Sequence, residues 1–150
     1  MPMSRFDWLK RIKTVEREHS VIRFSANYLA IIVRANPAVL PADLRVRDLD
    51  LSIAQLEATY IVRLFAEFET ALRAFWVTSR ANDPPLRTCD LVESIGVQRK
   101  IPHDCISNAH RARIFRNSLM HERDDRVVPI SIKNVRRYLC VFLSFLPLTW

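Results

Sequence analysis

LSIAQLEATYIVRLFAEFETALRAFWVTS, residues 51–79, decides the fold. Apolar side chains recur at Ile53, Tyr60, Leu64, Phe68, Ala71 and Phe75, in steps that return to one face of an α-helix. Ile61, Phe65, Leu72 and Trp76 widen that stripe beyond what one neighbour can cover. The spacing predicts a long helix at the centre of a bundle, touching helices on more than one side. Glu57 and Glu67 fall at or close to the apolar arc, and Glu69 at its margin beside Phe68.

Before this helix, Ser4 and Asp7 form a loose capping box, and apolar positions follow at Phe6, Leu9, Ile12, Val15, Ile22, Ala26, Leu29 and Val33, with His19 in one polar slot. These predict a first helix over about residues 4–35, with a bend possible near His19-Ser20, ending before Pro37. Its outward face carries Lys10, Arg11, Lys13, Arg17 and Arg23, read as a solvated face or as a contact for an RNA backbone. Residues 36–50 read as a connection with one short turn of helix at most. After the break at 81–85, Thr88 caps a short helix over about 89–95 that Gly96 stops, and Asp104 is placed to cap the next one. A polar loop follows His121; Pro129 and Ser131 then introduce a last helix over about 131–146, burying Ile132, Val135, Leu139, Phe142 and Leu146. The expected architecture is an all-α, up-and-down bundle of four main helices with one short extra helix, a single domain over 1–150.

Composition narrows the function. With Gly96 as the only glycine, no glycine-rich phosphate loop exists, which removes Rossmann and P-loop readings. Cys89, Cys105 and Cys140 are odd in number and widely spaced, as expected of reduced thiols in a cytoplasmic protein. No run approaches the roughly 18 to 20 apolar residues of a membrane span. Twenty-three basic residues against 16 acidic ones give a net charge of +7, a bias toward polyanionic partners.

The chemistry concentrates in residues 108–121. On a helix, His110, Arg113, Asn117 and His121 share one polar stripe, while Cys105, Ala109, Ala112, Phe115, Leu119 and Met120 form the apolar side. Arg116 lies in the middle of that apolar arc, where a guanidinium is costly unless an anion meets it. Two explanations stand side by side: a structural ion pair with Glu67 or Glu69, or a phosphate ligand. Glu69 also has Arg73 at i,i+4 as a partner on its own helix. His103, Cys105 and His110 have no recognised zinc spacing, so no metal or other cofactor is expected.

The string Arg116-Asn117-Ser118-Leu119-Met120-His121 resembles the R-N-x-x-x-H signature of the HEPN superfamily, and residues 60–73 resemble the aromatic-rich helix with a Phe-Glu pair found in several of its branches. The resemblance covers roughly residues 50–146. It implies a metal-independent endoribonuclease, in many members the toxin of a toxin–antitoxin pair, acting as a homodimer with two motifs facing one cleft. Mapped here, His121 exchanges protons with a ribose 2′-hydroxyl or the leaving oxygen, Arg116 holds the scissile phosphate, and Asn117 orients the imidazole or donates to the phosphate. Glu69 and Glu67 stand as supporting residues, and Arg113, His110 and Arg123 as RNA contacts. Residues five apart sit about 140° apart around a regular helix, so one chain alone does not converge Arg116 and His121; a dimer or a turn at Met120 is required. The alternative is a non-catalytic helical domain that binds nucleic acid or a protein partner.

Overall fold

The computed structural model describes residues 2–80, 82–121 and 126–150. Five α-helices form: α1 (Arg5–Ala35), α2 (Val46–Arg80), α3 (Thr88–Gln98), α4 (His103–Met120) and α5 (Ile132–Ser144), with a 3-10 turn at Pro37–Val39. α3 is the short extra helix, and no strand forms among the described residues. The all-α bundle expected from the periodicities is the observed one.

α2 is the hub. Ile61, Leu64, Phe65, Phe68, Ala71, Leu72, Phe75 and Trp76 are all buried, and α2 packs against α1, α3, α4 and α5. This follows from the width of its stripe. The helix starts at Val46, five residues before the expected Leu51, because Asp48 accepts the Arg45 N–H at 2.9 Å and satisfies a first-turn donor.

α1 starts on the expected capping box: Ser4 Oγ accepts the Asp7 N–H at 3.1 Å, and Asp7 accepts the Ser4 N–H at 3.0 Å. The helix is continuous through His19 and Ser20. Its core face differs from the expected one. Phe6 and Ile22 are exposed, whereas Trp8 is buried, in register with Ile12, Val15 and His19 by steps of four, three and four. Trp8 stacks on Trp150 at 6.3 Å between ring centroids, and Trp150 Nε1 donates to the Ala71 carbonyl at 2.9 Å. Arg5 ties down the same segment by donating to the carbonyls of Ser144 and Leu146.

Three local expectations are corrected. Gly96 does not stop α3; it lies inside it and is buried, and a Cβ built there would stand 2.6 Å from Ile106 Cδ1. Its role is close approach between α3 and α4. Thr88 does not cap α3 but donates its hydroxyl to Glu69 Oε1 at 2.9 Å. Asp104 lies within the first turn of α4, where its charge suits the helix dipole, and makes no cap hydrogen bond; the N-cap position is Pro102. Ser131 caps α5 as expected, by accepting the Asn134 N–H.

Candidate functional site

α4 packs against α2 as well as α3 and α5, with Ala109, Ala112 and Phe115 buried. That contact carries Arg116 onto α2, which explains how a cation sits on an apolar arc. Its guanidinium lies 4.6 Å from the centroid of the Phe65 ring, and Nη2 is 3.5 Å from Glu69 Oε2, with the Arg116 side chain 18% exposed. Nη1 is 3.5 Å from the sulfur of Met120, and Nε is buried without a hydrogen-bond partner. Burial pushes the Arg116 pKa down from the ordinary guanidinium value; the Glu69 charge opposes this and the Arg113 charge adds to it.

Glu69, rather than Glu67, faces Arg116. Its carboxylate is shared, because Oε1 accepts from Arg73 Nη2 at 2.7 Å, from Arg73 Nε at 3.2 Å and from Thr88 Oγ1. Burial is the largest single influence on its pKa and acts upward. The hydrogen bonds from Arg73 and Thr88 and the two nearby guanidinium charges together outweigh it, so the carboxyl titrates below its ordinary range. Both expected partners of Glu69 are therefore present, with Arg73 holding it closely and Arg116 at longer range. Glu67 pairs instead with Arg11 of α1 at 2.8 Å, so Arg11 sits at the α1–α2 seam rather than on the outward face. Glu57 accepts the Ile132 N–H at 3.0 Å and helps to start α5.

The polar stripe of α4 divides into two parts. His110 Nε2 lies 2.6 Å from Glu93 Oε1, and Arg113 Nε donates to His110 Nδ1 at 3.4 Å. Since Nδ1 accepts, Nε2 carries the proton and donates to Glu93. This chain ties α3 to α4 and commits His110 and Arg113 to it. Asn117 is half-buried, and its carbonyl accepts the His121 N–H at 3.1 Å. His121 is exposed at the C-terminal end of α4, with φ −110° and ψ −177°. The helix ends at Met120, so the angle of a regular helix no longer sets where the imidazole goes. Met120, expected on the apolar side, is 56% exposed because it occupies this last turn beyond the α2 contact. Arg123 lies outside the described residues.

A cleft of about 500 Å³ opens beside this end of α4. Its walls are Phe115, Ser118 and Leu119 of α4, Ala54, Glu57, Ala58 and Ile61 of α2, and residues 127 and 129–131. Arg116, Asn117 and His121 are not among its lining residues. Among the described residues, no group of three or more His, Cys, Asp or Glu side chains is placed to hold a metal ion, and no helix is long and apolar enough to cross a membrane.

Sequence reasoning missed Arg73 and Thr88 as parts of the Arg116 environment. Arg73 was readable as an i,i+4 partner of Glu69, but nothing in the local pattern brings Thr88, 19 residues away, to the same oxygen. Comparison with protein families, with curated proteins and with solved structures finds no match.

Proposed function

We propose that the chain is a HEPN-type endoribonuclease that cleaves RNA without a metal, with Arg116 and His121 as its catalytic residues and Asn117 supporting the imidazole. The observation that carries this reading is the donor surplus of Arg116. A guanidinium offers five N–H donors. Here the nearest carboxylate oxygen is 3.5 Å away and already belongs to a group held by Arg73 and Thr88, while Nε has no partner. A phosphate oxygen would supply the short, charge-assisted contacts that Glu69 does not.

In the proposed reaction the His121 imidazole takes the proton of a ribose 2′-hydroxyl. That oxygen attacks the adjacent phosphorus, the bond to the 5′-oxygen breaks, and the leaving oxygen takes its proton from the imidazolium so formed, which returns His121 to its starting state. The products are a 2′,3′-cyclic phosphate and a 5′-hydroxyl. Arg116 stabilises the charge that grows on the phosphoryl oxygens. The same reading makes the protein a homodimer with its two motifs at one cleft, and the toxin of a pair whose antitoxin is a second protein.

The test is incubation of the purified protein with mixed RNA in excess chelator, alongside Arg116→Ala and His121→Ala. Cleavage by the wild type, lost in both folded variants, is the expected result. No cleavage across several RNAs favours the non-catalytic binding domain, whose affinity for RNA falls steeply with salt.

A further inference from the structure

α1 carries two apolar seams, and only one is covered. Ala26, Leu29, Ala30 and Val33 face α2, with Ala30 and Val33 buried. On the opposite face Val21, Phe24, Tyr28 and Ile31 are 62, 74, 61 and 66% exposed. Their steps of three, four and three residues are the a and d spacing of a coiled-coil seam. At 100° per residue this second seam points about 180° away from the first.

The placing of α1's neighbours explains why the face is bare: it points away from α2, and α5 lies to one side of it. α1 and α2, with 31 and 35 residues, extend roughly 46 and 52 Å, against about 20 Å for the 13-residue α5. α5 runs beside the first half of α1, from Arg5 against Ser144 to Glu16, which accepts from Arg136 Nε at 2.8 Å. It begins level with Ser20 to Asn27, where Ile132 and Lys133 line a shallow depression with Ser20, Arg23, Phe24 and Asn27 of α1. Beyond that level α1 has no α5 beside it, and α2 covers only the stripe of α1 that faces it.

We infer that this outer seam of α1 is the contact with a second copy of the chain, run antiparallel. The seam is symmetric about Ala26: Val21 and Ile31 lie five residues to either side, Phe24 and Tyr28 two. A twofold axis there sets Val21 of each copy against Ile31 of the other, and Phe24 against Tyr28, the self-complementarity that an isologous interface needs. Charge fits the same arrangement. Arg17 continues the angular line of the seam and makes no ion pair among the described residues. In the antiparallel pair it meets Ala35, the last residue of the partner α1, where unsatisfied carbonyls and the negative helix end accept a cation. A parallel pair would stack Arg17 on Arg17. The four exposed side chains offer roughly 500 Å² per copy and about 1,000 Å² per pair, the lower bound for a specific interface, before flanking residues are counted.

This contact stands apart from the RNA-cleavage reading, since α4 takes no part in it. The test is sedimentation velocity of the full chain across micromolar concentrations. The wild type is expected to associate through this seam, as a dimer, or as a larger assembly where the motif-facing contact of the RNA-cleavage reading forms as well. The double variant Phe24→Glu/Tyr28→Glu is expected to dissociate at least about 100-fold more readily with unchanged circular dichroism at 25 °C, because both side chains are exposed in the single chain, and with a thermal midpoint that no longer rises with concentration. Val21→Cys chains mixed with Ile31→Cys chains should form a disulfide-linked dimer that neither forms alone and the wild type does not form. A monomeric wild type assigns the seam to another partner and overturns the inference. So does self-association that the glutamates leave unchanged in both size and strength, or Val21→Cys chains that cross-link to one another. Arg116→Ala and His121→Ala leave this dimer intact, so a dimer that cleaves no RNA refutes only the enzymatic reading.

Discussion

Replacing Arg116 by methionine should leave the protein about as stable as before, and that near-neutrality separates a functional arginine from a structural one. The substitution keeps the stem that packs on Phe65 and Met120 and removes the charge. It forfeits the cation–π contact, worth about 0.5 to 2 kcal/mol, and a long ion pair to a carboxylate that keeps Arg73 and Thr88. It also removes a buried donor without a partner, a desolvation penalty of about 1 to 3 kcal/mol. The two sides cancel to within about 1 kcal/mol. Arg73→Met is the internal control. Arg73 makes four hydrogen bonds, to Glu69 Oε1 from Nη2 and Nε and to the carbonyls of Pro85 and Leu86. Losing them should cost about 2 to 3 kcal/mol, below the full figure for a buried pair because the side chain is one-third exposed. For a chain of this size, thermal midpoints should fall by about 5 to 10 °C for Arg73→Met and move by no more than about 3 °C for Arg116→Met. Urea unfolding read by circular dichroism gives the same comparison through its midpoints. If Arg116→Met loses as much as Arg73→Met, Arg116 is a fold-holding ion pair and the argument from its spare donors is wrong.

Two further outcomes are expected. Gly96→Ala should destabilise by about 1 kcal/mol, since the new methyl meets Ile106 Cδ1 at 2.6 Å; in an Ile106→Val background, which lacks that atom and keeps only the Cγ1 contact at 3.0 Å, the same change should cost less, helix propensity offsetting it by up to about 1 kcal/mol. A Gly96→Ala penalty unchanged by Ile106→Val would refute the close-approach account. His19 is buried, and burial lowers its pKa, with the Arg23 charge adding to the lowering and the Glu57 and Glu16 charges opposing it. The unfolded chain therefore takes up the proton first, and stability falls as pH drops below the ordinary imidazole range toward the depressed native value. Urea midpoints should be higher at pH 7.5 than at pH 5.5, and His19→Phe should flatten that slope; an equal slope in the variant would place the titration elsewhere.

The helices were legible because their signals are local. The stripe of α2, the Ser4–Asp7 capping box, Ser131 before α5 and the proline breaks each act within a few residues, and all produced the expected element. The anomaly at Arg116 was legible for the same reason, being a cation on the wrong side of a periodic pattern. Which glutamate would answer it was not. Glu67 and Glu69 differ by 200° around α2, so the rotation of α2 against α1 and α4 assigns one to Arg11 and the other to Arg116.

Periodicity alone settled that the chain is an all-helical bundle with a hydrophobic hub at 51–79, because the helical repeat forces apolar residues onto one side whatever the neighbours are. Tertiary packing decided everything that depends on length and distance in space. It chose Trp8 over Phe6 because the segment after α5 returns Trp150 to that position, it used Gly96 as a contact point because α4 passes there, and it left Phe24 and Tyr28 largely bare because they lie on the side of α1 turned away from α2. A sequence states which faces are apolar; only the assembled helices state which of those faces is covered.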